Sequence, residues 1–221
     1  MKIRNWVILA LVLVIGVGAF YLSFPKDVYN THQEEETVAN GPQVIGYVGC
    51  SNTWQTVEGY HAAGGDKFWE VNKNYGGGTL TIWSETIDGG GRYWTAFNQL
   101  LARHPNTDAI WWELCIRHEE AEVTYSVAKK LLEAIHARAP EATIYVSSLP
   151  EYPDAVCGIT QTVGIERGDE LVVELLEQNP ELVAGPVLGP MTADETTSDN
   201  CHINLEARVT LGQELIDFFG N

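Results

Sequence analysis

From residue 93 onward the chain alternates short apolar runs with helical stripes, and no other feature restricts its fold as much. Tyr93–Arg103 puts Trp94, Phe97 and Leu101 on one helical face, and His104-Pro105 ends it. Asp108–Cys115, with Ala-Ile-Trp-Trp-Glu-Leu in its middle, reads as a strand. Glu119–Arg138 reads as the longest helix, with Val123, Val127, Leu131 and Ile135 recurring and Pro140 as the stop. Ala142–Ser148 is then a strand, Gly168–Gln178 a helix and Leu182–Leu188 a strand. Asn204–Phe219 closes the chain as a helix whose expected buried stripe is Leu205, Val209, Gly212, Ile216 and Phe219. Alternation at this spacing calls for parallel βαβ units, and so for an α/β fold: a three-layer α/β/α sandwich around a central parallel sheet.

The same logic extends upstream with less clarity. Val44–Gly49 is uncharged, β-branched and aromatic, and reads as a buried strand that stops at a small-residue corner, Cys50-Ser51-Asn52. Thr53–Tyr60 is expected as the first helix. Between residues 61 and 92 glycines cluster at Gly64-Gly65, Gly76-Gly77-Gly78 and Gly89-Gly90-Gly91. Either Phe68–Val71 or Leu80–Trp83 would serve as the second strand. The triple glycine lacks the Lys-Ser/Thr of a phosphate loop. A backbone that needs positive φ, or that approaches a ligand closely, accounts for it better.

Ahead of this domain, Trp6–Phe24 is nineteen residues without a charge. At about 1.5 Å per residue it covers roughly 28 Å, the hydrocarbon thickness of a bilayer. Lys2 and Arg4 precede it and an acidic, polar stretch follows, which orients the N-terminus toward the cytoplasm. The expected organisation is therefore an uncleaved transmembrane anchor over 1–26, a solvated acidic linker over 27–42 and an exported domain over 43–221. A cleaved secretory signal is the competing reading, and it too exports the domain. Of the thirteen Lys and Arg residues, Lys2, Arg4 and Lys26 lie in the anchor, which leaves ten against thirty Asp and Glu beyond it. Such a surface repels nucleic acid and anionic headgroups, so the only membrane partnership expected is through the N-terminal helix.

Export makes Cys50, Cys115, Cys157 and Cys201 disulfide candidates rather than metal ligands. They form no C-x-x-C pair, and His118-Glu119 is followed by Glu122 where a zinc-binding H-E-x-x-H would need histidine. No metal and no cofactor are expected. His61, His104, His118 and His136 read as ordinary surface or satisfied residues, Trp111-Trp112 as core, and Trp54 as packing or as a pocket wall. Glu113 on a central strand requires a partner if buried.

Acyl transfer needs a nucleophile, a base, a group that holds the base, and donors for the oxyanion. Ser51 offers a hydroxyl at the C-terminal edge of a strand, where open α/β sheets place their ligands. His202 lies in a polar loop before the last helix, with Asp199 three residues upstream, near enough to fix its tautomer. On these residues the sequence resembles the SGNH, or GDSL-type, hydrolases. Gly49-Cys50-Ser51-Asn52-Thr53 is similar to the family's Gly-Asp-Ser block, with cysteine for the aspartate. Asp199-Asn200-Cys201-His202-Ile203-Asn204 is similar to its Asp-x-x-His block. The resemblance covers residues 43–221 and implies a flavodoxin-like sandwich with Ser51 as nucleophile, His202 as base and Asp199 as orienting acid. It also implies oxyanion donors at Ser51, at the shortened glycine block, through Gly78, and at Arg117. Arg117 stands where the family's Gly-x-Asn block would supply asparagine; it reads equally as a salt-bridged surface residue.

In flavodoxin-like order the strands that end at Cys50 and Cys115 are neighbours, about 4.8 Å apart. The loops that carry Cys157 and Cys201 leave the same sheet edge. Both pairs can meet the spacing of about 4.4–6.8 Å between Cα atoms that a bridge needs, so Cys50–Cys115 and Cys157–Cys201 are the expected disulfides. The leading function is an extracytoplasmic, membrane-tethered serine esterase that hydrolyses carboxylic esters on a small molecule, glycan or lipid through an acyl-enzyme. The alternatives are a binding or scaffold protein of this fold that has lost catalysis, and a redox domain using Cys50.

Overall fold

The computed structural model describes residues 41–152 and 157–221. The expected anchor over 1–26 and nearly all of the linker lie outside them. Among the described residues no helix is long and apolar enough to cross a membrane.

Four parallel strands form one sheet in the order β1-β2-β3-β4: Ile45–Val48, Ala109–Leu114, Thr143–Ser148 and Val183–Ala184. In register, Tyr47 lies beside Trp111 and Trp111 beside Tyr145. β1 and β2 are buried along their whole length, as strands covered on both faces must be. Trp111 and Trp112 are core residues, and the Trp111 indole donates to Ser147 Oγ at 2.9 Å.

Among the described residues six helices connect and cover the strands: α1 Ser51–Ala62, α2 Leu80–Glu85, α3 Arg92–Arg103, α4 Tyr125–Arg138, α5 Gln161–Gln178 and α6 Leu205–Phe219. α1 packs on α6, while α2, α4 and α5 follow one another across the other layer, giving the three-layer α/β arrangement.

Several boundaries differ from the expected ones. Leu80–Trp83 is helical, because Thr79 caps it by accepting from the Ile82 N–H. Phe68 is the other candidate, and it makes a single parallel bridge to Ile45 on the free edge of β1. The last strand shrinks to two residues. α4 begins only at Tyr125, after a 3₁₀ turn at His118–Glu120. The stripe of α6 is rotated: Leu205 is 75% and Val209 42% exposed, while Ala207, Leu211, Gly212, Leu215 and Phe219 are buried. The cause is Gly212. A Cβ there would lie 2.1 Å from the Gly59 carbonyl carbon, and one on Gly59 would lie 1.7 Å from Arg208 O. Two helices that touch backbone to backbone fix which face of each is buried.

The described chain begins at the edge where the strands start. Asp108 accepts from the backbone N–H groups of Gln43 and Val44 at 2.9–3.1 Å. The end of α6 returns to the same corner, where Lys67 Nζ donates to Phe219 O at 2.9 Å and Tyr60 to Gly220 O at 2.9 Å. Gly41 lies against that same Phe219 carbonyl. Ser51, Cys115 and Leu149 follow the opposite, C-terminal ends of β1, β2 and β3.

Candidate active site

β1 is followed by Gly49, where a side chain has no room: its Cβ would lie 2.0 Å from Thr53 Oγ1. Thr53 turns back to accept from the Cys50 N–H at 2.8 Å, which closes the first turn of α1 and leaves Ser51 as its first residue. The Thr53 hydroxyl donates in turn to Glu113 Oε2 at 2.7 Å, which is the partner Glu113 requires. Glu113 is 1% exposed, and its other oxygen has no partner among the described residues. Burial pushes its carboxyl up to about 8, with the Thr53 bond offsetting part of the rise, so the group is neutral at pH 7.

Cys50 is bonded to Cys115 across the adjacent ends of β1 and β2, with Cα atoms 6.1 Å apart. Cys50, Glu113 and Cys115 bring three ligand-type atoms together, but the two sulfurs are spent on each other. The second disulfide, Cys157–Cys201, has Cα atoms 4.6 Å apart and holds the loop that carries His202. Asn52 supports the same loop: its amide donates to Cys201 O at 3.2 Å and to Tyr152 Oη at 2.6 Å. From below, Gln55 Oε1 accepts from the Ile203 N–H at 3.0 Å.

The loop is wound around Asp199. One carboxylate oxygen accepts from the N–H groups of Cys201 and His202, each at 2.9 Å, and from Thr197 Oγ1 at 2.7 Å. The other accepts from His202 Nδ1 at 2.5 Å. Burial alone would raise the Asp199 pKa; the bonds from His202, Thr197 and Cys201 outweigh it and hold the carboxyl well below the usual range. With Nδ1 donating to a carboxylate, His202 Nε2 is the acceptor, and Ser51 Oγ lies 2.9 Å from it. Asp199, His202 and Ser51 thus form one hydrogen-bonded chain across 151 residues of sequence.

A cavity of about 260 Å³ opens at this chain, with Ser51, His202, Gly77 and Arg117 among its lining residues. Ile116, Leu149 and Ile159 line its apolar side. The glycine-block expectation requires a correction. The Gly78 N–H is committed to Tyr75 O at 2.9 Å, and Gly78 is pressed against Gly49 O and the Trp83 indole, so it has no donor to offer. Gly77 lines the cavity instead, at φ +77°, and its N–H has no partner among the described residues. Arg117 lines the cavity too, and among the described residues its side chain has only a long contact to Glu119, 3.8 Å from Nη1. Trp54 is held between Lys73 and Arg208, each 5.3 Å from its ring, and is not among the residues that line this cavity. His61 and His104 bond to carbonyls and to Glu70 and are not among the lining residues, while His118 Nδ1 donates at 3.0 Å to the carbonyl of Ile159, a residue of the cavity wall.

No family model and no curated protein matches the chain. Solved structures do. A candidate SGNH hydrolase from Slackia heliotrinireducens superposes with a TM-score of 0.54 at 14% identity, over 80% of this chain and 99% of that one. The chain has the SGNH-hydrolase fold. The psychrotrophic esterase EstA from Pseudoalteromonas sp., in a structure inhibited by monoethylphosphonate, also aligns. That alignment has a TM-score of 0.49 and 13% identity, over 80% of this chain and 96% of the esterase. In this SGNH fold the serine block ends β1 and the Asp-x-x-His block precedes α6, where the sequence placed them.

Proposed function

We propose that the protein is a serine esterase that hydrolyses carboxylic esters through an acyl-enzyme on Ser51. The observation that carries this is the Asp199–His202–Ser51 hydrogen-bond chain at the mouth of the cavity. His202 Nε2 takes the Ser51 proton as Oγ attacks the ester carbonyl, and Asp199 stabilises the imidazolium that results. The oxyanion is received by the Ser51 N–H, at the first turn of α1, and by the Gly77 N–H, with Arg117 as a third donor in place of the absent asparagine. His202 then returns its proton to the leaving alcohol, and water enters by the same route in reverse.

Pockets for drug-sized ligands run from about 300 to 1,000 Å³. A cavity of about 260 Å³ with three aliphatic side chains on its wall suits a short acyl group carried on a larger alcohol. The segment 6–24 and the charge asymmetry around it support a single-pass anchor, with the catalytic domain outside the cytoplasm. Two disulfides are consistent with that compartment.

The test is covalent labelling of the full chain with a fluorophosphonate probe, read by mass spectrometry. Labelling at Ser51, absent in Ser51→Ala, is the expected result. A fully folded protein that neither labels nor cleaves a short-chain ester is a binding module and overturns the proposal.

A further inference from the structure

The peptide group that joins Cys201 to His202 is held from both sides. In a planar trans peptide the N–H and the C=O point in opposite directions. Here the N–H is given to Asp199 Oδ1 at 2.9 Å. The C=O accepts from Tyr152 Oη at 3.1 Å and from Asn52 Nδ2 at 3.2 Å. The loop needs holding at this point. Asn200, immediately upstream, sits at φ +56°, a conformation that costs a non-glycine residue energy and persists where its surroundings fix it. Rotation of the next peptide group would carry the imidazole away from Ser51 Oγ, now 2.9 Å from Nε2.

Tyr152 is placed to prevent that rotation. Its ring packs against the buried cluster of Cys50, Cys115, Leu149 and Ile165. Its hydroxyl accepts from Asn52 Nδ2 at 2.6 Å and gives its own proton to Cys201 O. One phenol therefore joins the residue after Ser51 to the residue before His202. The segment that carries it is neither helix nor strand, and it is tied down where the Met191 N–H donates to Glu151 O at 2.8 Å. Burial first, and then the Glu113 carboxyl, push the Tyr152 phenol up, while the Asn52 bond offsets part of the rise. The hydroxyl thus keeps the proton it donates.

We propose that Tyr152 is a positioning residue for the acyl transfer: through the Cys201 carbonyl it keeps His202 within hydrogen-bond distance of Ser51. The role rests on the esterase reading of Ser51, but the hold on His202 can be measured without turnover.

Two variants of the full chain test it. Tyr152→Phe keeps the ring on its cluster and removes only the hydroxyl; Tyr152→Leu removes both. In Tyr152→Phe, kcat for a short-chain ester should fall roughly tenfold to a hundredfold, the cost of a displaced base, with KM changed less than about twofold. Its Tm should fall by no more than about 4 °C, the shift expected for one lost hydrogen bond in a chain of this size. Wild-type kcat in Tyr152→Phe with a lowered Tm in Tyr152→Leu would make the residue packing alone and overturn the proposal. So would a rise in KM at unchanged kcat, which would set the hydroxyl against substrate instead.

Amide hydrogen exchange, read residue by residue, separates this claim from the esterase reading. The His202 N–H is the other end of the braced peptide group, whereas the Ile203 N–H is held independently by Gln55 Oε1 at 3.0 Å. Tyr152→Phe should speed exchange at His202 roughly five- to tenfold and leave Ile203 unchanged. That selective change upholds the hold on His202 even if no ester is cleaved, in which case only the esterase reading falls. Equal acceleration at both amides, or at neither, removes the positioning role whatever the turnover.

Discussion

Gly59 and Gly212 meet where α1 crosses α6, so closely that a Cβ on Gly212 would lie 2.1 Å from the Gly59 carbonyl carbon. α1 begins at Ser51, and α6 begins three residues after His202. The crossing therefore sets how far apart the nucleophile and its base are held. A methyl group at either glycine must push two backbones apart. Gly212→Ala should destabilise the fold by about 1–3 kcal/mol or more. It should also lower ester turnover in the fraction that remains folded. Urea denaturation and kcat on the same preparation test both parts; full activity at reduced stability would detach the crossing from the site.

Within the chain of three, the effects should be unequal. Ser51→Ala and His202→Ala should each reduce turnover of a short-chain ester to background, because nucleophile and base act as a unit. Asp199→Asn should leave a measurable residue, since it removes orientation and charge but neither reacting group. Equal rates for wild type and Ser51→Ala would end the acyl-enzyme mechanism.

The Arg117 side chain is 38% exposed and, among the described residues, has only a long contact to Glu119. Its loss should cost little stability. As an oxyanion donor it should be worth roughly tenfold to a thousandfold in kcat. Arg117→Ala with an unchanged Tm and a reduced kcat fits the donor role; an unchanged kcat excludes it.

Glu113 gives the fold a pH dependence of defined sign. Its folded pKa, raised by burial to about 8, lies above the ordinary carboxylate value, so the folded state holds a proton that the unfolded chain releases. Stability contributed by the neutral carboxyl is complete below the unfolded value, and it is lost as pH rises through about 8. Tm should fall between about pH 5 and pH 9, and Glu113→Gln should flatten that decline. An identical slope in wild type and Glu113→Gln would show that the carboxyl does not titrate in this window.

The Cys157–Cys201 bridge spans 44 residues of sequence. Loop-closure entropy for such a span is about 4 kcal/mol, so Cys157→Ser combined with Cys201→Ser should lower stability by up to that amount. Activity should fall further than stability, because the loop around Asp199 has no helix or strand of its own. Turnover that simply tracks the folded fraction would show that Asn52 and Gln55 suffice to hold the loop.

Some of this was legible in the sequence and some was not. The places of Ser51, Asp199 and His202 could be read from a strand end, a polar loop and a three-residue spacing, together with the resemblance those blocks carry. Cys50–Cys115 followed from strand order, and Cys157–Cys201 from two loops that leave the same sheet edge. Which of three successive glycines faces the cavity could not be read, since Gly49 O, Trp83 and Tyr75 O decide it, and these come from three separate segments. The stripe of α6 was misread for the same kind of reason. Leu205 and Val209 fit a helical period as well as Ala207, Leu211 and Leu215 do, and only the Gly59 contact chooses between them. The six-residue helix Leu80–Glu85 showed in the sequence only as a short, mostly apolar piece at Leu80–Trp83, too short for periodicity to separate helix from strand.

The corner where Gly41 meets Phe219 gives the domain a handle. The first and last of the described residues lie there, pinned by Asp108 and Lys67, at the sheet edge opposite Ser51. A short peptide can therefore join residue 221 to residue 41 without crossing the catalytic face. New ends can be opened in the Gly89-Gly90 turn, where added side-chain atoms would touch nothing. Such a circular permutant would keep Ser51 and His202 on the same uncut scaffold. Attached to a solid support by its original ends, the domain would present its cavity outward.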